Sequence, residues 1–272
     1  MIKTFNHSVL QSKEEKRQNR TKVALSVLLL FVVGSLLNIP FSREVRRLTL
    51  PPGETDKLLD ASVWNHVLTN GLSSLLLGSI LIFVGLWVSE RANLGAPVLA
   101  RMFSSKPLKG FLSFQSFLAA IGLSIFVAVV LLGLFEIQKA FYPVDTIVQR
   151  PEKFYYFFVS FSAGITEEIM FRLCLMTLII ALIQYAKKSE NPSDATVWTG
   201  NLIAAIFFGL MHLPLSSNFV ELAPFTIGVN IVGNLITGST FGWIYWKKGL
   251  LTAITAHVAF DLVFHVVGSP YN

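Results

Sequence analysis

Charge is scarce in this sequence: of 272 residues, 14% are Asp, Glu, Lys or Arg, against 53% that are hydrophobic. Such a balance excludes a soluble domain of ordinary composition. Cysteine is nearly absent, and with Cys174 alone there is neither an intrachain disulfide nor a thiolate metal cluster. Cys174 reads as a small packing residue in a membrane helix. No internal repeat, low-complexity linker or second soluble domain is visible, and the missing inverted repeats argue against a transporter. No small-residue cleavage signature follows the first apolar run, so the polar start reads as a retained signal anchor.

What the chain has instead is apolar length. Runs near twenty residues cover roughly 23–41, 72–89, 111–137, 154–185, 198–213, 224–246 and 249–267. The expected fold is an all-α, polytopic membrane bundle of seven to eight transmembrane helices. The eighth would come from 111–137 or 154–185, since the latter would extend about 48 Å as one helix. The expected organisation is a cytoplasmic basic arm over 1–21, N-terminal transmembrane helices over 22–153 and a distinct membrane region over 154–268.

Orientation follows from the bases. Lys13, Lys16, Arg17, Arg20 and Lys22 precede the first span; Arg91, Arg101, Lys106 and Lys109 follow the second. Lys187 with Lys188 and Lys247 with Lys248 follow the fourth and sixth. With seven spans all four clusters fall on one side, which predicts a cytoplasmic N-terminus. Arg43, Arg46 and Arg47 weaken the contrast. Trp243, Tyr245 and Trp246 in "GWIYWKKG" suit an interfacial belt beside Lys247. The net charge of +6 is then explained by topology and anionic lipid, so the expected partner is the bilayer, with no nucleic acid.

Against this background the polar residues inside the spans stand out. "FYYFFVSFSAGITEEIMFRLCLMTLIIALIQYA", 154–186, carries Glu167, Glu168 and Arg172 at its centre. A charge at that depth costs roughly 2.5–3.5 kcal/mol, so three together must be paired or serve a site. Glu168 and Arg172 are four apart with the acid first, the favourable order for an ion pair. Glu167, rotated by about 100°, faces something else; it either caps a polar network between helices or reacts. "IAAIFFGLMHLP" sets Phe208 and His212 four apart, just before Pro214, which is expected to stop the helix. "LTAITAHVAFDLVFHVV" sets His257 and Asp261 four apart. A lone histidine on an apolar helix is more often a core residue than a catalyst, but three helices each offer a group capable of acid–base chemistry. His265 reads as interfacial, and His7 and His66 lie outside the spans. In 224–246, Gly228, Gly233, Gly238 and Gly242 read as helix packing surfaces. Asn230 and Asn234 read the same way, with a substrate-lining role as the alternative.

"EEIMFR" (Glu167 to Arg172), "FGLMH" (Phe208 to His212) and "HVAFD" (His257 to Asp261) together resemble, in order, the three motifs of the CAAX protease and bacteriocin-processing family. The resemblance covers roughly 155–268 and implies an intramembrane endopeptidase acting on a membrane-associated peptide or protein. By resemblance, Glu167 is the base that activates water with help from His212. Glu168 and Arg172 shape the site, and His257, with Asp261 beside it, stabilises the oxyanion. Bacterial relatives act on substrates other than prenylated proteins, and a bacterial cell membrane is the expected location.

Amide hydrolysis needs such a base and a donor where the carbonyl oxygen gains charge. Two positions depart from the family pattern. Leu173 stands where a glycine is common, and Asp261 stands where an Asn is common. An ionised Asp would repel an oxyanion that an amide can bind. It must therefore be protonated, orient His257, or bind a metal. Glu167, His212, His257 and Asp261 form a mixed nitrogen and oxygen set suited to zinc, although H-E-x-x-H is absent. Metal-dependent and metal-free glutamate mechanisms both fit these residues. A catalytically silent membrane partner with the same fold is the reading from another functional class.

Overall fold

The structure, a computed structural model, describes residues 17, 19–104, 107 and 113–270. His7, Lys13, Lys16, Lys106, Lys109 and most of the 1–21 arm lie outside the described residues. Among those described, the regular elements are helices, with one isolated antiparallel bridge between Thr146 and Val220. They are α1 (Arg20–Leu37), α2 (Ile39–Thr49), the single turn α3 (Lys57–Asp60), α4 (Val63–Ala92) and α5 (Pro97–Met102). Then follow α6 (Phe114–Phe141), α7 (Lys153–Lys187), α8 (Asp194–Ser216), α9 (Pro224–Lys248) and α10 (Leu250–Gly268).

Local chemistry sets the starts of these helices. Ser62, Ser113 and Ser193 each accept a backbone N–H from the first turn of α4, α6 and α8, satisfying donors that the helix leaves open. Between α9 and α10 a glycine is required: Gly249 has φ of +83°, and a Cβ there would stand 2.4 Å from Pro97 Cδ.

Among the described residues six helices, not seven or eight, are long and apolar enough to cross a membrane. The run 111–137 belongs to the single helix α6, and 154–185 to the single helix α7 of 35 residues. The run 224–246 does form a helix of 25 residues, α9. However, Thr226, Asn230, Asn234, Thr237, Ser239 and Thr240 dilute its hydropathy. It nonetheless runs between the two ends of the bundle, Phe225 against Tyr142 (4.0 Å between ring centres) and Trp246 against Trp198 (6.2 Å). Pro214 does not stop α8 as expected; the helix continues to Ser216. Placed in the last turn, the proline removes only one bond.

The described members of the four basic clusters meet at one end. There Arg17 and Arg20 pair with Glu90, Arg91 lies 5.4 Å over the Tyr185 ring, and Lys248 Nζ donates to Ser116 Oγ at 3.5 Å. At the opposite end Phe41 packs on Tyr156, and the Ile147 N–H donates to the Phe219 carbonyl.

Burial ranks the helices. Half of the most apolar stretch of α7 is buried, against about a quarter in α1, α4 and α6. Those three present Leu29, Phe83 and Phe126 outward, as lipid-facing helices do. Glycines on neighbouring helices let α7 approach closely: a Cβ on Gly85 would stand 2.5 Å from the Leu173 carbonyl, and one on Gly200 2.5 Å from Ile180. The gap that a glycine at position 173 would supply is thus provided by Gly85 on the facing helix. The charged residues therefore ride on the helix with the least lipid exposure, where partners can satisfy them.

Candidate active site

Helix α7 changes geometry at the charged motif. It is α-helical over Lys153–Glu167, a π-helix over Glu168–Met176 and α-helical again over Thr177–Lys187. The π turn is closed by Thr177, whose N–H and Oγ both reach the Arg172 carbonyl, the latter at 2.8 Å. Such turns are rare and gather at functional sites. Periodicity at 3.6 residues gave no sign of it.

Glu168 and Arg172 form the expected pair, at 3.2 Å, with exposures of 0% and 1%. The guanidinium also donates to the Gly238 carbonyl at 3.0 Å and lies 4.7 Å over the Phe208 ring. Glu168 has a second partner not foreseen from sequence, for His257 Nδ1 donates to its Oε1 at 2.8 Å. The imidazole is stacked on Phe241, with ring centres 4.3 Å apart. These two contacts fix the orientation of His257, and the one hydrogen bond among them is to Glu168. Asp261 lies on the other side of the ring, 3.7 Å from Nε2.

Glu167 faces away from that pair and into a cavity of about 180 Å³. One oxygen is 4.0 Å from His212 Nε2, the other 3.9 Å from His257 Nε2. The latter oxygen is buried with no protein hydrogen bond. His212 Nδ1 sits 2.7 Å from the Phe208 carbonyl; only a donor fits there, so in the neutral ring Nε2 carries the lone pair that faces Glu167. A gap of 4.0 Å is too long for a direct hydrogen bond. One water at about 2.8 Å from each partner would span it, with an angle of about 90°.

The six residues singled out from the three motifs thus converge. Other cavity residues were less visible in the sequence. Asn230 and Asn234, read mainly as packing residues, line the wall together with Gly233. Asn230 donates to Ser216 Oγ at 2.7 Å, and Asn234 to the Asn230 carbonyl at 2.9 Å. Polar spacing in an apolar helix was their only signal. His265, expected at the interface, also lines the cavity and stacks on Tyr156 at 5.1 Å.

Among the described residues no group of three or more His, Cys, Asp or Glu is arranged to hold a metal ion. Glu167 lies 4.0 Å from His212 and 3.9 Å from His257, and Asp261 lies 3.7 Å from His257. A tetrahedral shell with bonds of 2.0–2.1 Å has edges of about 3.3 Å.

A polytopic helical membrane protein with a buried carboxylate between two imidazoles is the class that fold and site define. Residues 150–263 match the family of the type II CAAX prenyl endopeptidase Rce1-like proteins. The match contains all three motifs and agrees with the resemblance read from them. The match shows that this region is similar to the type II CAAX prenyl endopeptidases. No curated protein and no solved structure matches the chain.

Proposed function

We propose that the chain is an intramembrane endopeptidase that hydrolyses a peptide bond of a membrane-associated protein or peptide by a glutamate-activated water. The observation carrying this reading is Glu167, with its two oxygens 3.9–4.0 Å from the Nε2 atoms of His257 and His212, at the wall of a cavity. A water between Glu167 and His212 gives its proton to the carboxylate as its oxygen attacks the scissile carbonyl carbon. The new oxyanion is met by an Nε2–H of His257. Because Nδ1–H already donates to Glu168, this donor belongs to the doubly protonated ring. When the carbon–nitrogen bond breaks, Glu167 passes its proton to the leaving amine.

Glu168 and Arg172 act as positioning residues through His257. Asp261, beside Nε2, contributes as a protonated carboxyl that donates to the oxyanion. No step requires a metal. The scaffold alternative has no use for a carboxylate facing two imidazoles across a cavity wall. The decisive experiment is cellular processing of the native substrate by Glu167→Gln. The amide keeps the shape and cannot take the proton, so processing is expected to be lost while membrane level is kept. Wild-type processing by this variant would return the chain to the scaffold class.

The N-terminus is proposed to be cytoplasmic, from the basic clusters gathered at one end of the bundle.

A further inference from the structure

The cavity holding Glu167 is not centred between the two ends of the bundle. From α7 it takes Tyr156, Val159, Ala163 and Glu167 and nothing beyond; from α8 it takes residues from Phe208 onward, and from α10 residues from His257 onward. All these segments run toward the end opposite the basic clusters. A second cavity of about 160 Å³ shares Arg150, Ser216 and Asn230 with the first and extends along Lys139, Thr146 and Thr226. The two form one path from Glu167 toward that end.

The other direction is filled. Ile169, Leu173, Met176 and Ile180 of α7 are 0–1% exposed, and Tyr245 closes over them with its hydroxyl 2.8 Å from Thr177 Oγ1. The Arg172–Glu168 pair plugs the floor beneath Glu167.

Charge gives the two ends a side. Fourteen lysines and arginines belong to segments 1–22, 90–113, 187–193 and 247–249, and seven to segments 38–62, 136–153 and 214–224. The three arginines that blur this contrast in the sequence are engaged locally. Arg43 donates to the Leu59 carbonyl, Arg46 pairs with Asp56, and Arg47 is held by Glu44 at 2.7 Å. Excess Lys and Arg mark the cytoplasmic side.

We infer that the catalytic cavity opens to the non-cytoplasmic face, so that the substrate is an exported or membrane-anchored polypeptide presenting its scissile segment there, not a C-terminal tail in the cytoplasm. This inference deepens the endopeptidase reading and rests on it.

The test is labelling with a membrane-impermeant maleimide in bacterial spheroplasts expressing the full chain. The wild type, whose one cysteine Cys174 is buried, supplies the background. Ser216→Cys probes the cavity path, Ser217→Cys the exposed surface beside it and Asn191→Cys the exposed loop at the basic end. Expected is labelling of the first two on intact spheroplasts, and of Asn191→Cys only after lysis. The reverse pattern would overturn the inference, as would a labelled Ser217→Cys beside a Ser216→Cys that stays unlabelled. Labelling needs no turnover, so a wrong face and an absent activity give separate results.

Discussion

Replacing Arg172 by Met keeps much of the side-chain length and removes the charge, which tests whether the Glu168–Arg172–His257 group holds the site together. Arg172 is 1% exposed, 3.2 Å from Glu168, and bonded to the Gly238 carbonyl at 3.0 Å. Removing one partner of a buried pair costs about 3–5 kcal/mol, because the remaining charge stays buried. The Gly238 carbonyl also loses its donor, worth about 1 kcal/mol. His257, 2.8 Å from Glu168, still compensates part of the orphaned charge. The expected loss is therefore about 3–5 kcal/mol in all, the two costs not being additive. At about 2–4 °C per kcal/mol this lowers the unfolding midpoint by about 10 °C. The double variant Glu168→Gln/Arg172→Met removes both charges and should recover about 1–3 kcal/mol relative to the sum of the single changes. Thermal unfolding of the full chain in one fixed detergent and lipid mixture reads all four species. A single variant within about 1 kcal/mol of wild type, with no coupling in the cycle, would refute the reasoning, since a measured exposed pair contributes about that little.

Other outcomes follow from the same geometry. Glu167→Gln should lower the processing rate by about 10²–10⁴-fold at unchanged protein level, as read by substrate and product in cells. Asp261→Asn should keep substantial activity and remain insensitive to chelators, because an amide donates where the protonated carboxyl does. Loss of activity in that variant, with chelator sensitivity and roughly one zinc per wild-type chain, would overturn the metal-free mechanism. Gly242→Ala should destabilise by about 1–3 kcal/mol, since a Cβ there would stand 1.8 Å from Asn201 Oδ1 and force Asn201 off the Ser239 carbonyl it bonds at 2.9 Å. An unchanged melting curve would show that α8 and α9 can separate at little cost.

Much of the site was legible because the membrane makes polarity conspicuous. In a water-soluble chain Glu167, His212 and His257 would be three of many such residues; inside apolar runs each demands a reason. Their order and spacing were enough to group them before any coordinates. Partners were less legible. The i, i+4 spacing of Glu168 and Arg172 revealed their pair, but the bond from His257 to Glu168 spans 89 residues and has no local signature. Orienting His257 was one of three readings open for Asp261, and the hydrogen bond from Nδ1 of that ring goes to Glu168. The span count missed for a related reason: α9 lines a polar cavity with Asn230 and Asn234, and its composition falls between that of a lipid-facing helix and a loop.

The sequence by itself determined the membrane class, the helical fold, the basic asymmetry and the roster of reactive residues, because hydropathy, helix period and charge are properties of local sequence. Tertiary structure alone decided that α7 is the helix least exposed to lipid and that a π turn begins at Glu168. It also decided that Glu167 and Glu168 part company, one toward the cavity and one toward Arg172 and His257, and which end of the bundle the cavity reaches. These depend on where glycines such as Gly85 and Gly200 let α4 and α8 approach α7. Such contacts join residues far apart in the chain, and a local pattern cannot encode the distance between them.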